Sequence, residues 1–552
     1  MVLFSSSNVL LLLGFFAVSS LFLLTKAWKI GSRPVDIPPG PPTIPIFGNL
    51  HQMPIDKPHL QLQKWAQEYG PVYSIILGTT TMIVLSSDEA VKDLLDKRSG
   101  NYSDRPDMYI GQTIASGGLR LVVMRYGKFW RMIHKTIHNI LNIRAAVNYV
   151  PYQDLENKIM LQGIIDEPDA FLDHIRRYTF SLSTQIIFGY RAPSTQDPNL
   201  QQLFWSFERW GKLAGSASAQ IADLFPILQS IPAALSPPVR TARWLHEKEK
   251  FLYVRLWMRA KKGVSDGTGH PCFCNDLFRA QETEGFDDAQ AGYISGSLLE
   301  AGSDTTAAIL YGFILAMIIH PDVQNKVKAE VDKVVGPERL PTIEDYENLP
   351  YVRCCIKEAM RWMPTVILGV PHAAVNEDTY KGWRIPAGAT VINNVWSIHM
   401  DPKRSPDPRT YKPERFASDT RSLYESATGE ASQRDNYVFG AGRRLCQGIH
   451  IAERSLALGV SRLMWSFDIS PATDPQTGEP AKYDGDDLVG GITVEPRHYK
   501  CNFKIRSIQK DKIIRRAVEK DAADFLDSRT GQWRKTPDGM AFSTWVPEEV
   551  KF

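Results

Sequence analysis

Residues 439–448 (FGAGRRLCQG) decide the fold and the chemistry that this sequence predicts. A helix is expected directly afterwards, over residues 447–467, so the Cys446 sulfur lies near a helix N-terminus. Unpaired N–H groups and the helix dipole at that position favour the thiolate. Gly442 and Gly448 allow the backbone to approach the sulfur closely. The segment therefore predicts a cysteine placed for chemistry.

The alternative for any single cysteine is a buried and inert thiol, and the chain has six cysteines in 552 residues. An inert cysteine does not need three glycines and two arginines within six residues. Arg444 adds positive charge two residues before Cys446, which suits a carboxylate carried by the same ligand. We therefore interpret Cys446 as a metal-binding thiolate.

Two further patterns support an organised site. Glu358 and Arg361 lie three residues apart in an apolar helical stretch, so they share one helix face and can pair. In residues 301–306 (AGSDTT), a glycine and two threonines occupy the middle of a long helix predicted over 287–319, which is costly in helix propensity. That pattern fits either a notch for helix packing or a local widening at an active site, with a hydroxyl bonding back to a preceding carbonyl.

Residues 439–448 resemble the haem-binding signature of the cytochrome P450 family, Phe-x-x-Gly-x-Arg-x-Cys-x-Gly, at every fixed position. The resemblance implies that Cys446 is the axial ligand of the iron of haem b and that Arg444 pairs with a haem propionate. A thiolate ligand pushes electron density onto the iron and favours O–O cleavage. The fixed positions of the signature are Phe439, Gly442, Arg444, Cys446 and Gly448.

The family resemblance also gives roles to the other patterns. Glu358, Arg361 and Arg415, the last within residues 413–416 (PERF), resemble a structural triad on the cysteine side of the haem. Thr305 and Asp304 resemble the oxygen-activating pair, which implies that they deliver protons to dioxygen. These two are the implied catalytic residues.

Four more residues resemble contacts to the haem propionates. Trp130 and His134 lie on one predicted helix, where the family often has arginine in place of His134. Unlike an arginine, His134 is charged only when it is protonated, so its implied contact to a propionate depends on pH. His372 and Arg105 complete this implied set.

The predicted fold is mainly α with a small β portion, in a single large domain. A β-hairpin is expected over residues 72–85, and further strands over 370–398 and 484–505. The family resemblance covers residues 35–506. We assign residues 51–508 to a haem-thiolate monooxygenase domain.

The first 25 residues predict a single transmembrane helix. Residues 2–24 carry no charge, and lysines and an arginine follow, which favours a retained anchor over a cleaved signal peptide. The basic flank keeps the body of the protein in the cytosol, as expected at the endoplasmic reticulum. Residues 26–50 form a proline-rich hinge.

Residues 509–552 predict a C-terminal extension of unknown role. Its few large aliphatic side chains favour a solvated or loosely packed segment over a docked one.

The implied reaction inserts one atom of O2 into a hydrophobic small molecule. Electrons come from NADPH through a separate flavoprotein, an NADPH–cytochrome reductase. The pattern is most similar to fungal enzymes of secondary metabolism. A net charge of +3 without a concentrated basic face argues against a nucleic-acid partner. Two alternatives are a haem-thiolate isomerase or dehydratase that needs no reductase, and a non-enzymatic, membrane-tethered haem binder.

Overall fold

A computed structural model of the chain describes residues 28–474, 477–491 and 493–537, together with residues 15, 18, 19 and 25. The predicted membrane anchor, residues 1–25, lies almost wholly outside the described residues. Residues 538–552 of the C-terminal extension also lie outside them.

Helices dominate the described part of the chain. In chain order they are α1 (Pro58–Tyr69), α2 (Asp88–Val91), α3 (Ser99–Tyr102), α4 (Lys128–Leu141), α5 (Ile143–Val147), α6 (Val150–Asp166), α7 (Phe171–Phe188), α8 (Pro198–Ala214), α9 (Ala217–Leu224), α10 (Pro237–Ser265), α11 (Phe273–Glu284), α12 (Asp288–Ile319), α13 (Pro321–Val335), α14 (Pro350–Trp362), α15 (Val395–His399), α16 (Leu423–Thr428), α17 (Ile449–Ser466) and α18 (Ile508–Phe525).

Within the described residues, the strands form one four-stranded sheet and three two-stranded ribbons. They are β1 (Val72–Leu77), β2 (Thr80–Leu85), β3 (His372–Ala373), β4 (Asp378–Tyr380), β5 (Trp383–Ile385), β6 (Thr390–Asn393), β7 (Phe467–Pro471), β8 (Leu488–Gly490), β9 (Val494–Pro496) and β10 (Cys501–Ile505). The larger sheet has the order β1-β2-β6-β3, and the ribbons pair β10 with β7, β4 with β5 and β8 with β9. The fold is therefore mainly α with a small β portion, as predicted.

The predicted hairpin over residues 72–85 is confirmed. Strands β1 and β2 pair antiparallel, with Val72 opposite Leu85 and Leu77 opposite Thr80. Gly78 in the turn has a φ of +57°, a conformation that suits glycine.

The long helix α12 is the centre of the molecule. Asp287 begins it with a capping box, in which its side chain accepts from the Gln290 N–H and the Gln290 side chain accepts from the Asp287 N–H. Among the described residues, α12 is the one helix long and apolar enough to cross a membrane, but most of it is buried in the protein. Its apolar character thus reflects a position in the core.

The proline-rich residues that precede α1 are held against the sheet. The Arg33 guanidinium donates to the carbonyl of Ser74 on β1 at 2.7 Å and to that of Pro41 at 2.8 Å. Proline removes backbone donors, so side chains such as Arg33 supply the contacts that fix this segment.

Glu358, Arg361 and Arg415 meet on one side of α14. The Glu358 carboxylate receives two hydrogen bonds from Arg361, at 2.6 and 2.7 Å, and Arg415 lies 3.5 Å away. The backbone N–H of Lys412 donates to the same carboxylate at 2.7 Å. Since Glu358 is completely buried, these donors compensate the loss of its hydration.

The C-terminal extension is docked as far as it is described, so the expectation of loose packing is wrong for residues 508–535. Asp521 on α18 pairs with Lys158 on α6 at 2.7 Å. The indole N–H of Trp533 donates to Gln185 on α7 at 2.6 Å, and Trp533 is buried. Trp533 in a mostly polar tail was the sequence signal for docking.

We expect Arg361→Leu to lower the free energy of unfolding by roughly 3–5 kcal/mol, because it leaves a buried carboxylate without its main partner. Arg415→Leu is the matched comparison. It removes a longer contact and should lower stability by about 1 kcal/mol. Urea denaturation measures both values, and an equal loss for the two variants would contradict this assignment.

Trp533→Ala should lower the free energy of unfolding by about 3–5 kcal/mol, the usual loss for a buried tryptophan. Ile508→Ala, at a residue that is 75% exposed at the start of α18, serves as the control within the same extension. Thermal unfolding of both variants checks the docking, and equal midpoints would show that the extension contributes nothing.

His399 gives the protein a predictable loss of stability in acid. Burial, and then the nearby Arg361 charge, lower the pKa of His399 to about 3 from an ordinary 6.5. The contribution of neutral His399 to the free energy of unfolding is therefore fully present above pH 6.5. It is lost as the pH falls towards 3, by about 1.4 kcal/mol per pH unit. His399→Gln should flatten the plot of unfolding free energy against pH in this window. His51→Gln, at an exposed position, should leave the plot unchanged.

Candidate active site

The Cys446 loop is closed by its own backbone. The Cys446 N–H donates to the carbonyl of Phe439 at 2.9 Å. Gly442 has a φ of +57°, and a Cβ there would lie 2.0 Å from the carbonyl oxygen of Leu95, so glycine is required. The Gly442 N–H also donates to Asp96 at 2.6 Å. These contacts fix the loop that carries the sulfur into α17.

Cys446 is exposed. By contrast, the five other cysteines, all within the described residues, are buried. Ala441 and Ile449, on the two sides of the loop, are buried. The exposed Cys446 thus lies in a loop that is anchored in the core on both sides.

The expectation that the loop favours the thiolate needs a correction. Burial raises the pKa of the Cys446 thiol, and the Gly448 backbone N–H lowers it by less. The sequence argument identified the favourable N–H groups but could not weigh them against burial. Deprotonation would then accompany metal binding, as is usual for thiolate ligands.

Basic side chains gather next to this loop. Arg444 donates to the carbonyls of Ser103 and Met124, at 2.8 and 2.7 Å. Arg105 donates to the carbonyls of Val122, Val370 and Pro371, at 2.6–3.1 Å, and His372 Nδ1 lies 2.7 Å from the carbonyl of Tyr102. These three side chains are called the basic cluster below.

The basic cluster holds more positive than negative charge. Burial, and next the charge of Arg444, lower the pKa of Arg105 well below its usual range. Burial and then Arg105 do the same to the pKa of His372. Asp104 is the nearby carboxylate within the described chain, and it is already paired with Arg125 at 2.7 Å. The cluster is therefore suited to a buried anion.

Haem fits this donor set. Its two propionates would supply the negative charge that the basic cluster lacks, and the iron would take the Cys446 sulfur. The group that the sequence resemblance implied thus agrees with the electrostatics of the site.

Trp130 and His134 extend the cluster along α4. The Arg444 guanidinium lies 4.1 Å from the centre of the Trp130 ring, a cation–π contact. The His134 ring is 4.7 Å from Trp130, and the His134 carbonyl accepts from Gln447 at 3.1 Å. Burial lowers the pKa of His134, so a neutral imidazole is favoured there. Gln447, which ties α4 to the Cys446 loop, was missed by the sequence analysis.

On α12 the motif 301–306 contains an opening in an otherwise buried stretch. Ala301 and Gly302 are exposed, whereas Glu300 and Ser303 beside them are buried. A Cβ on Gly302 would lie 2.6 Å from the Ser183 hydroxyl, so this glycine also provides the packing notch against α7. The helix is continuous through the motif.

Asp304 and Thr305 take different partners. The Thr305 hydroxyl donates to the Ala301 carbonyl at 2.8 Å, which is the back-bonding expected from the sequence. The Asp304 carboxylate accepts from the Thr493 hydroxyl at 2.8 Å, and burial raises the pKa of Asp304. Thr493 is 189 residues away in the chain, so no local pattern could have indicated it.

Comparison with known proteins identifies the family. The family model described as Cytochrome P450 matches residues 38–503. Cytochrome P450 monooxygenase virE of Hypocrea virens is 48% identical over 534 residues, covering 96% of both chains. Cytochrome P450 monooxygenase fsoB of Humicola fuscoatra is 46% identical, covering 97% of this chain and 99% of that protein. Cytochrome P450 monooxygenase fogE of Aspergillus ruber is 45% identical, over 95% and 97% respectively. The chain thus belongs to the cytochrome P450 family and is a haem-dependent monooxygenase.

Proposed function

We propose that Cys446 is the axial thiolate ligand of haem b in a membrane-bound monooxygenase that oxidises a hydrophobic small molecule. The observation that carries the proposal is the solvent-reached Cys446 sulfur beside the basic cluster. When bound, haem supplies the activation of O2. We infer that the opening at Ala301 and Gly302 and the Cys446 loop border the same internal space.

In this proposal Arg105, Arg444 and His372 bind the two propionates. Each side chain is already held by backbone carbonyls, so little side-chain entropy is lost when the anion binds. Trp130 keeps the Arg444 guanidinium in place by stacking, and His134 adds an uncharged contact. Phe439 and Gly448 shape the loop around the sulfur.

Asp304 and Thr305 are proposed to deliver the protons. The substrate C–H and O2, with two electrons and two protons, give an alcohol and water. A carboxylate of raised pKa next to a hydroxyl suits such transfer. Thr493 holds Asp304 in place through its hydroxyl. The structural support on the side of the Cys446 loop is proposed to come from Glu358, Arg361 and Arg415.

The two electrons are proposed to come from NADPH through a separate flavoprotein reductase. Exposed basic side chains lie beside the Cys446 loop and would attract an acidic partner surface. They are Arg125, Lys128, Arg131, Lys135 and Arg443. The Gln447 side chain joins α4 to the Cys446 loop, and this contact is the reason to place docking there.

Membrane attachment is proposed through residues 1–25, with residues 26–50 as the hinge and 51–508 as the cytosolic domain at the endoplasmic reticulum. An exposed apolar surface supports this proposal. Phe47 of the hinge contacts Phe225 at 6.4 Å between ring centres. Exposed aliphatic side chains occur in the chain on either side of Phe47 and in the chain after Phe225: Ile44, Ile46, Ile55, Ile227, Ile231 and Leu235. Such a patch beside a predicted anchor is suited to lipid.

The substrate is proposed to be a hydrophobic intermediate of fungal secondary metabolism. The segments expected to line its pocket are 106–125, part of 203–228, the α12 residues before Thr305, and 365–368. An untargeted comparison of metabolites from strains with and without the gene would identify it. Turnover without a reductase would favour the isomerase or dehydratase alternative.

Cys446→Ala should abolish the thiolate-type Soret band of the reduced protein with CO, because no sulfur then reaches the iron. Cys501→Ala, at a buried cysteine, is the control and should keep the band. A retained thiolate band in Cys446→Ala would refute the ligand assignment.

Thr305→Ala should uncouple NADPH oxidation from product formation, since O2 is then released as peroxide by the same two electrons and two protons. Loss of general acid catalysis typically lowers the productive step by about 10²-fold or more. The ratio of peroxide to product measures this with the substrate and reductase present. Thr306→Ala, at a buried neighbour, is the comparison. Equal coupling in both variants would place the proton path elsewhere.

A further inference from the structure

A second buried charge network lies next to the site and has no part in the chemistry proposed above. Arg120 donates to Glu300 and, at 2.5 Å, to Glu249. The Tyr253 hydroxyl also donates to Glu300. All four side chains are buried, at 4% exposure or less. They are called the Arg120 network.

The network joins parts of the chain that are far apart in sequence. Arg120 belongs to the segment 109–124, Glu249 and Tyr253 to α10, and Glu300 to α12. The Arg120 guanidinium also lies 4.0 Å from the ring centre of Trp210 on α8.

The segment 109–124 borders the basic cluster. Its carbonyls at Val122 and Met124 accept from Arg105 and Arg444. The Leu121 N–H donates to Ser297 on α12 at 3.2 Å, which closes the segment against that helix. Glu300 immediately precedes the exposed Ala301. The Arg120 network therefore joins α10 to the segment that borders the basic cluster and to the exposed part of α12.

The link through Glu249 is the weaker part of the network. Two carboxylates share one guanidinium, so the buried charges are not balanced. Glu249 Oε1 finds no hydrogen-bond partner among the described residues. Burial raises the pKa of Glu249 to about 8, with Arg120 opposing this and Glu300 adding to it. Glu249 has a single hydrogen bond, whereas Glu358 has three, so the buried charge of Glu249 is less completely compensated and less free energy opposes release of this contact.

We propose that the Arg120 network is a latch that ties α10 to the segment 109–124 and to α12, and that its release admits bulky ligands to the internal space. The latch rests on the proposed function only in placing the ligand next to haem. In this view Glu249 and Tyr253 are positioning residues that set the rate of entry and exit. Arg120 and Glu300 stay paired in both states.

The test uses the full-length, haem-loaded protein and two probes that bind haem iron through nitrogen. Imidazole is small and 4-phenylimidazole is bulky, and stopped-flow absorbance of the Soret band follows both. The variant is Glu249→Leu with Tyr253→Phe, which removes both bonds from α10 and leaves Arg120 and Glu300 as a balanced pair. The control is Lys261→Met, which cuts the ion pair with Asp288 at 2.8 Å between the same two helices.

The latch predicts that 4-phenylimidazole both binds and dissociates about tenfold faster in the double variant, as expected when a charged hydrogen bond is lost. Imidazole rates should change less than about twofold, and the control should match the unaltered protein. Unchanged 4-phenylimidazole rates in the double variant, or equal acceleration in the control, would overturn the latch.

Amide hydrogen exchange gives a measurement that does not depend on haem. The segment 109–124 should exchange faster in the double variant than in Lys261→Met, with or without haem. Equal exchange would also overturn the latch. A protein whose Soret band fails to respond to imidazole would instead count against the proposed haem site, and the exchange result would still decide the latch.

Discussion

The structure depends on one electrostatic constraint: buried cations at the basic cluster with too few anions to match them. Arg105 and Arg444 are held by backbone carbonyls, and Asp104 is engaged by Arg125. Burial lowers the pKa of Arg105, but guanidinium groups keep their proton in proteins, so the mismatch cannot be removed by losing a proton. Binding a group with two carboxylates removes it. Haem therefore has a place in the fold beyond its chemistry, as the missing counter-charge between α4, the Cys446 loop and the segment before β3.

The buried networks around Glu358 and around Glu249 differ in how completely their charges are compensated. At Glu358 the carboxylate accepts three hydrogen bonds and lies 3.5 Å from Arg415, so it is well compensated, as suits a fixed support. At Glu249 compensation is partial, as suits a contact that opens. The number of hydrogen bonds to the buried carboxylate thus distinguishes the fixed support at Glu358 from the proposed latch at Glu249, although both contain the same residue types.

Much of this arrangement followed from local patterns in the sequence. The hairpin over 72–85, the long helix through 301–306 and the loop around Cys446 each rest on spacing within a few residues, and each is observed. Three features could not be predicted. The Thr493 partner of Asp304 comes from a distant hairpin, the Gln185 partner of Trp533 comes from α7, and the pKa of Cys446 depends on burial. The local sequence shows which groups are present. It does not show how deeply they are buried or which distant residues contact them.

The most direct test of this account compares haem with its dimethyl ester, in which both propionate charges are removed. Haem-free protein is titrated with each, and the dissociation constants are measured from the Soret band. The account predicts that the ester binds at least about 100-fold more weakly, since each charge-assisted hydrogen bond is worth about 1.5–3 kcal/mol. Equal affinity for the two compounds would contradict it, because the basic cluster would then have no anion to bind.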